Sequence, residues 1–142
     1  MDFSALAVEL IGKMRLMQKS GHQKSMQDGI HGESFLLYCI KEKHGESVPS
    51  EIGSKMGVSG PRIAAELASL EGKGLITREV DSTDRRRILV RLTQKGIAVE
   101  AEQQGRYIGR VAAMLQALGE RDAEEYIRIT GRLAELKTGT EA

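Results

Sequence analysis

The chain has 142 residues, a length that fits one domain burying roughly two-thirds of its unfolded surface and leaves no room for a second independent core. With two Phe, three Tyr and no Trp, its interior must be built mainly from Leu, Ile, Val, Met and Ala, which suits packed helices and argues against a β-sandwich. The net charge of +1 is unevenly spread: residues 1–54, 55–95 and 96–142 carry −1, +4 and −2, the footprint of a nucleic-acid surface on a neutral to acidic scaffold.

Asp2 is placed to cap a first helix, and Phe3, Leu6, Leu10, Met14 and Met17 then recur at three- and four-residue steps, an apolar stripe in need of a partner. Residues 19–32, KSGHQKSMQDGIHG, are polar and broken by three glycines, which predicts a loop or a poorly formed helix. Residues 33–43, ESFLLYCIKEK, read as a short buried helix with Phe35, Leu36, Leu37, Cys39 and Ile40 inside, ended by His44 and Gly45. Pro49 suits the first turn of the next helix, where a missing N–H does no harm; Ile52 and Met56 face inward, and Gly53 is expected to allow close approach of the following helix.

Gly57 can take the left-handed conformation that stops this helix, and Ser59 can cap its successor. That successor turns Ile63, Leu67 and Leu70 inward and Gly60, Pro61, Arg62, Ala65, Glu66 and Ser69 outward, so it reads as the recognition helix of a helix-turn-helix. Gly72 and Gly74 end it. Residues 74–96, GLITREVDSTDRRRILVRLTQKG, then give two short strand patterns around a turn holding Asp84, Arg85, Arg86 and Arg87, a hairpin with a cationic tip. Thr93 caps a long helix over residues 94–118 with Ile97, Ala101, Ile108, Val111, Met114, Leu115 and Leu118 as expected buried positions. Gly119 ends that helix, and residues 120–136 form a last one with Ala123, Ile127, Thr130, Leu133 and Leu136 as its stripe. The tail after Lys137 is expected to be disordered. No apolar run approaches the ~20 residues that span a bilayer, and the start MDFSALAVELIGK has an acid where a signal peptide has bases, so a cytoplasmic protein is expected.

The order of these parts, and the string GLI…D-x-x-D-R-R…V-x-L-T-x-K-G within residues 48–96, resemble the MarR family of bacterial transcriptional regulators, with a weaker resemblance over the whole chain, including the closing pattern GERDAEEYIRITGRLAEL. The resemblance implies a mainly α fold with a small β-hairpin wing, a single MarR-like domain over 1–142. Its winged helix-turn-helix would occupy 33–96, flanked by dimerisation helices at 1–20 and 97–137. It also implies a homodimer on a palindromic operator in double-stranded DNA and, in many relatives, a small-molecule effector. Carried over by position, Asp84 looks like the wing acid that orients a neighbouring arginine, and Arg85 and Arg86 like the wing's basic residues, with Arg86 the one for minor-groove insertion. Arg87 stands where the family often has a small residue. The residues agree on their own terms, since a hairpin tip too short to fill a major groove can still place a guanidinium in a narrow minor groove. The alternative is a solvated surface ion-pair cluster.

Pro61, Ala64 and Ala65 depart from the Ser, Thr or Arg that many relatives carry, leaving Arg62 as the main candidate for a bidentate guanine contact. Ser59 and Ser69, beside Gly60 and Pro61, are then phosphate or base contacts. Cys39 cannot form an internal disulfide, and in its apolar helix reads as a buried inert thiol rather than a redox switch. His22, His31 and His44 match no tight ligand spacing, so neither metal nor cofactor is expected. An effector pocket, if present, is expected near Met14, Met17, Tyr38 and Tyr107, although methionine at helical spacing is more often core. The rival function class is a winged-helix protein–protein adaptor or an architectural DNA binder without a ligand. An enzyme is not expected, since no phosphate loop or acid/base/nucleophile spacing occurs.

Overall fold

The computed structural model describes residues 1–45 and 47–137; the expectation for the tail beyond Lys137 lies outside them. The Asp2 carboxylate accepts from the amides of Ser4 at 2.9 Å and Ala5 at 3.2 Å and so starts α1 (Phe3–Ser20). Gly21, at φ 80°, stops it. The glycine-broken segment holds one six-residue helix, α2 (His22–Gln27), whose N-cap is Gly21 and whose first amide, that of His22, donates to the Ser20 hydroxyl at 3.4 Å.

The body follows as α3 (Gly32–Glu42), α4 (Pro49–Met56), α5 (Gly60–Gly72), β1 (Ile76–Val80) and β2 (Ile88–Leu92). Leu36, Leu37, Cys39 and Ile40 of α3 meet Ile52 of α4, Ile63, Leu67 and Leu70 of α5, and Leu75, Ile76 and Val90 of the hairpin in one buried cluster. The strands are antiparallel, with Ile76 opposite Leu92 and Val80 opposite Ile88. Ser47, itself buried, accepts from the Val90 amide at 2.8 Å and so ties the segment between α3 and α4 to β2. Gly57, at φ 68°, makes the turn between α4 and α5 as its position predicted. Gly53, however, is not the tight glycine: a methyl there would lie 3.4 Å from the Val58 oxygen and 3.5 Å from Ile63, ordinary contact distances.

The tight glycine is Gly96, in the first turn of α6 (Gln94–Leu118). A Cβ there would overlap the Leu75 carbonyl oxygen and lie 2.9 Å from its carbon. Thr93 locks this junction, since its amide donates to Leu75 O at 3.0 Å, its hydroxyl to Gly74 O at 2.7 Å, and the same hydroxyl accepts from the Gly96 amide at 3.0 Å. Beyond it, α6 meets the body through a polar seam. The Ser34 hydroxyl donates to Gln103 at 2.9 Å, and the Tyr107 hydroxyl donates to Met26 O while its ring lies over Gly29. Glu100, only 2% exposed, faces the Lys41 ammonium at 3.2 Å. That distance suits an ion pair, yet neither carboxylate oxygen accepts a directed hydrogen bond among the described residues.

A buried carboxylate held mainly by one cation loses much of its compensation when that cation goes. Lys41→Met is therefore expected to destabilise the fold by about 2 kcal/mol. This is less than for a fully enclosed pair, because water reaches the half-exposed lysine. The double variant Lys41→Met/Glu100→Met should recover most of the loss in urea unfolding. Equal stability of wild type and Lys41→Met would show that the pair contributes nothing.

The apolar stripe expected to be buried along α6 is largely at the surface. Ala101, Ile97, Ile108 and Leu118 are exposed and Val111, Met114 and Leu115 half-buried, while Gly96 and Glu100 are the buried positions. A helical period marks a face that favours apolar company without saying what supplies it. The same holds for α1 and for α7 (Glu120–Glu135), neither of which has a buried residue; Ala123 is half-buried, whereas Ile127, Thr130, Leu133 and Leu136 are exposed. Met1–Tyr107 form one compact unit and the residues from Ile108 onward another, and the buried cluster belongs to the first. Among the described residues no helix is long and apolar enough to cross a membrane.

Candidate nucleic-acid interface

The loop between β1 and β2 is shaped by two aspartates. Asp81 accepts at one carboxylate oxygen from the Thr83 amide at 2.9 Å and hydroxyl at 2.8 Å, an Asx turn that fixes the way out of β1. Its amide donates to Arg87 O at 2.9 Å, closing the loop at its base. The Thr83 hydrogen bonds, with a smaller contribution from the charge of Arg87, hold the Asp81 carboxyl below the usual carboxylate range. Asp84 makes the tip. Its carbonyl accepts from the Arg87 amide at 2.9 Å, and its carboxylate accepts from the Arg86 amide at 3.1 Å and the Arg86 Nε at 3.3 Å. The neighbouring arginine that the Asp84 carboxylate contacts is thus Arg86.

Arg86 remains 93% exposed beside Asp84. At that exposure an ion pair adds little stability, so the contact sets direction. Arg85 and Arg87 are exposed as well, giving three cations on one short turn. An open cleft of about 660 Å³ separates the wing from the start of α4, with Arg86, Arg87 and Ile88 facing Pro49, Ser50 and Glu51.

The Ser59 hydroxyl caps α5 by accepting from the Arg62 amide at 3.4 Å, and Gly60 and Pro61 form the exposed first turn. Arg62 follows on the same open end, its Nε 3.3 Å from Oε1 of Glu66 one turn on. Ser69 is exposed two turns beyond Arg62. The outward positions fit the expected set except Glu66, which is half-buried. The end of α5 is anchored on both sides. Glu71 takes a two-pronged bond from Arg78 of β1, at 3.0 and 3.3 Å, and Lys73 reaches Glu33 of α3 at 2.6 Å. The Arg78 bonds hold the Glu71 carboxyl below its ordinary value and raise that of Arg78. The end of α5 is therefore tied to both the wing and α3.

Sequence reasoning missed Asp81, Thr83, Glu66 and the Glu71–Arg78 fork. The D-x-T spacing before the tip was the available signal for the first two, whereas nothing in the sequence pairs residues 71 and 78.

Other candidates fare differently. Burial pushes the Cys39 thiol up, Lys55 opposing and Glu42 adding to the shift, so thiolate is disfavoured. Among the described residues no three His, Cys, Asp or Glu side chains gather as metal ligands. Tyr38 stacks on Phe35 with ring centres 6.2 Å apart, Tyr107 is engaged with Met26 and Gly29, Met14 is exposed and Met17 half-buried.

The model of the MarR family matches residues 34–87, a stretch running from α3 to the wing tip and holding Ser59, Arg62, Ser69 and all three wing arginines. YusO from Bacillus subtilis is 28% identical, with 92% of this chain and 99% of that one covered at a TM-score of 0.66. The transcriptional repressor CouR bound to a 23-mer DNA duplex is 23% identical over 90% of each chain, at 0.65. CouR from Rhodococcus jostii RHA1 bound to p-coumaroyl-CoA is 19% identical over 89% of this chain and 93% of that one, at 0.64. These likenesses share the fold, and the resemblance drawn from the sequence is borne out over residues 34–87, from α3 to the wing tip, which match the MarR family.

Proposed function

We propose that this protein is a sequence-specific DNA-binding regulator, a homodimeric repressor on a palindromic operator that a small ligand releases, acting in the cytoplasm. The observation that carries this reading is the joining of α5 to the wing through Glu71 and Arg78, with Arg62 at the open end of the helix and Arg85, Arg86 and Arg87 on a hydrogen-bonded tip. Helix N-terminal residues suit base edges in a major groove, and the wing arginines suit phosphates or an adjoining minor groove. Residues 33–96 are then the DNA-binding part, in which Ser59, Gly60, Pro61, Arg62, Ser69, Asp84, Arg85, Arg86 and Arg87 form the interface. The exposed apolar residues of α1, α6 and α7, Phe3, Leu10, Leu16, Ile108, Ile127 and Leu133 among them, support residues 1–20 and 97–137 as dimerisation helices. The p-coumaroyl-CoA bound to CouR supports an organic effector.

The test is selection of genomic fragments by the purified protein across a salt series, followed by footprinting of the best site. A palindrome with half-sites one helical turn apart is the expected result. Binding that is salt-labile and without sequence preference would favour the architectural reading, and a salt-insensitive protein partner the adaptor. In the same assay Arg62→Ala should relax preference at one position per half-site at a cost of roughly 1–3 kcal/mol, whereas Arg86→Ala should weaken binding to all sequences. An unchanged preference would remove Arg62 as a base reader.

A further inference from the structure

We propose that Glu66 is a specificity-determining positioning residue, which holds Arg62 so that the guanidinium meets a base end-on. This rests on the reading of α5 as a DNA-recognition helix. Glu66 is ill-suited to a surface facing phosphates, since a carboxylate there repels the backbone it approaches. Its placement also differs from that of an ordinary surface ion-pair partner. The side chain is only 29% exposed, and Oε2 is enclosed by protein without a hydrogen-bond partner among the described residues. The carboxylate is therefore seated in the helix surface rather than waving from it.

Oε1 is the oxygen that meets Arg62, at 3.3 Å from Nε. A guanidinium can offer a base either its side, through Nε and one Nη, or its end, through both Nη groups. With Nε engaged by Glu66, the side is taken and the end is left to point away from the helix. Two parallel donors there match the O6 and N7 acceptors of guanine. Arg62 is a long side chain that would otherwise sample many rotamers, and fixing it beforehand lowers the ordering cost of reading the base. Glu66 also cancels the charge of Arg62, so this end of α5 contributes little general attraction to phosphates and its contact favours a matching base over any backbone.

The test is a base-substitution series at each position of the selected site, measured with the full-length protein and with Glu66→Ala, Glu66→Gln, Arg62→Ala and the double variant Arg62→Ala/Glu66→Ala. Glu66→Ala is expected to lose about tenfold in discrimination at the base pair that Arg62 reads, and to bind unrelated DNA as well as or better than wild type. Glu66→Gln, whose amide oxygen still accepts from Nε, should keep most of the discrimination. The double variant should match Arg62→Ala at that base pair, since a positioning residue has nothing to position once the arginine is gone. Uniformly changed affinity with base preference intact, or additive losses in the double variant, would overturn the role of Glu66. A loss in Glu66→Gln equal to that in Glu66→Ala would overturn the hydrogen-bonded mechanism. If wild type itself selects no site, the DNA-reading function fails, and that outcome is visible in the wild-type arm alone.

Discussion

Gly96→Ala is expected to lower the stability of the fold by about 3 kcal/mol, the upper part of the range for forcing a methyl into a filled space. Two effects compete at this position. Alanine favours a helix over glycine by up to ~1 kcal/mol, and Gly96 is helical. Against that, the added carbon would overlap the carbonyl oxygen of Leu75. That carbonyl cannot move freely, because it accepts from the Thr93 amide, and the adjoining Gly74 carbonyl accepts from the Thr93 hydroxyl. Packing should therefore win. Gly105→Ala, in the same helix with open space around it, should stabilise by up to ~1 kcal/mol. Urea unfolding of both variants reads the difference in sign, and a Gly96→Ala protein as stable as wild type would mean that the α5–β1 junction yields.

The second large effect concerns the wing. Replacing Arg85, Arg86 and Arg87 together with alanine should weaken operator binding at least about a hundredfold at moderate salt. It should also reduce the log–log salt slope by about 0.9 for each phosphate that the variant no longer neutralises. The turn should survive, since Asp84 and Asp81 build it largely through backbone groups and Thr83. Far-UV circular dichroism and an unchanged unfolding midpoint would verify this. If the salt slope stayed the same, the wing would not be touching phosphates, and the arginines would be the solvated cluster that the sequence also allowed.

The stretch from α3 to β2 was legible because its boundaries are local chemistry. Pro49, Gly57, Ser59 and Gly74 each act within a turn of their own position, and Ile63, Leu67 and Leu70 repeat at the helical period on a face that the same stretch covers. The candidate interface was legible in outline for the same reason, Asp84 reaching only two residues to Arg86. What escaped depends on distance along the chain. Nothing in the local pattern tells that Glu100 lies against Lys41, or that Gly96 rather than Gly53 is the point of closest approach. The stripe of α6 misled for a related reason, since amphipathicity is a property of one helix and burial is a property of two surfaces. Glu66 was read as merely outward because its sequence neighbours do not reveal that one of its oxygens is enclosed.

The exposed charges of α5 and of the wing differ in balance as well as in place. Arg62 is matched by Glu66 and Glu71 by Arg78, while the wing loop carries three arginines against the two carboxylates of Asp81 and Asp84. On DNA, counterion release would therefore act mainly through the tip and scarcely through the helix. For a DNA-binding protein built this way, rising ionic strength would shorten residence on every sequence alike, while the ratio between a right and a wrong site would hold. Salt would govern how long the protein stays, and Arg62 where.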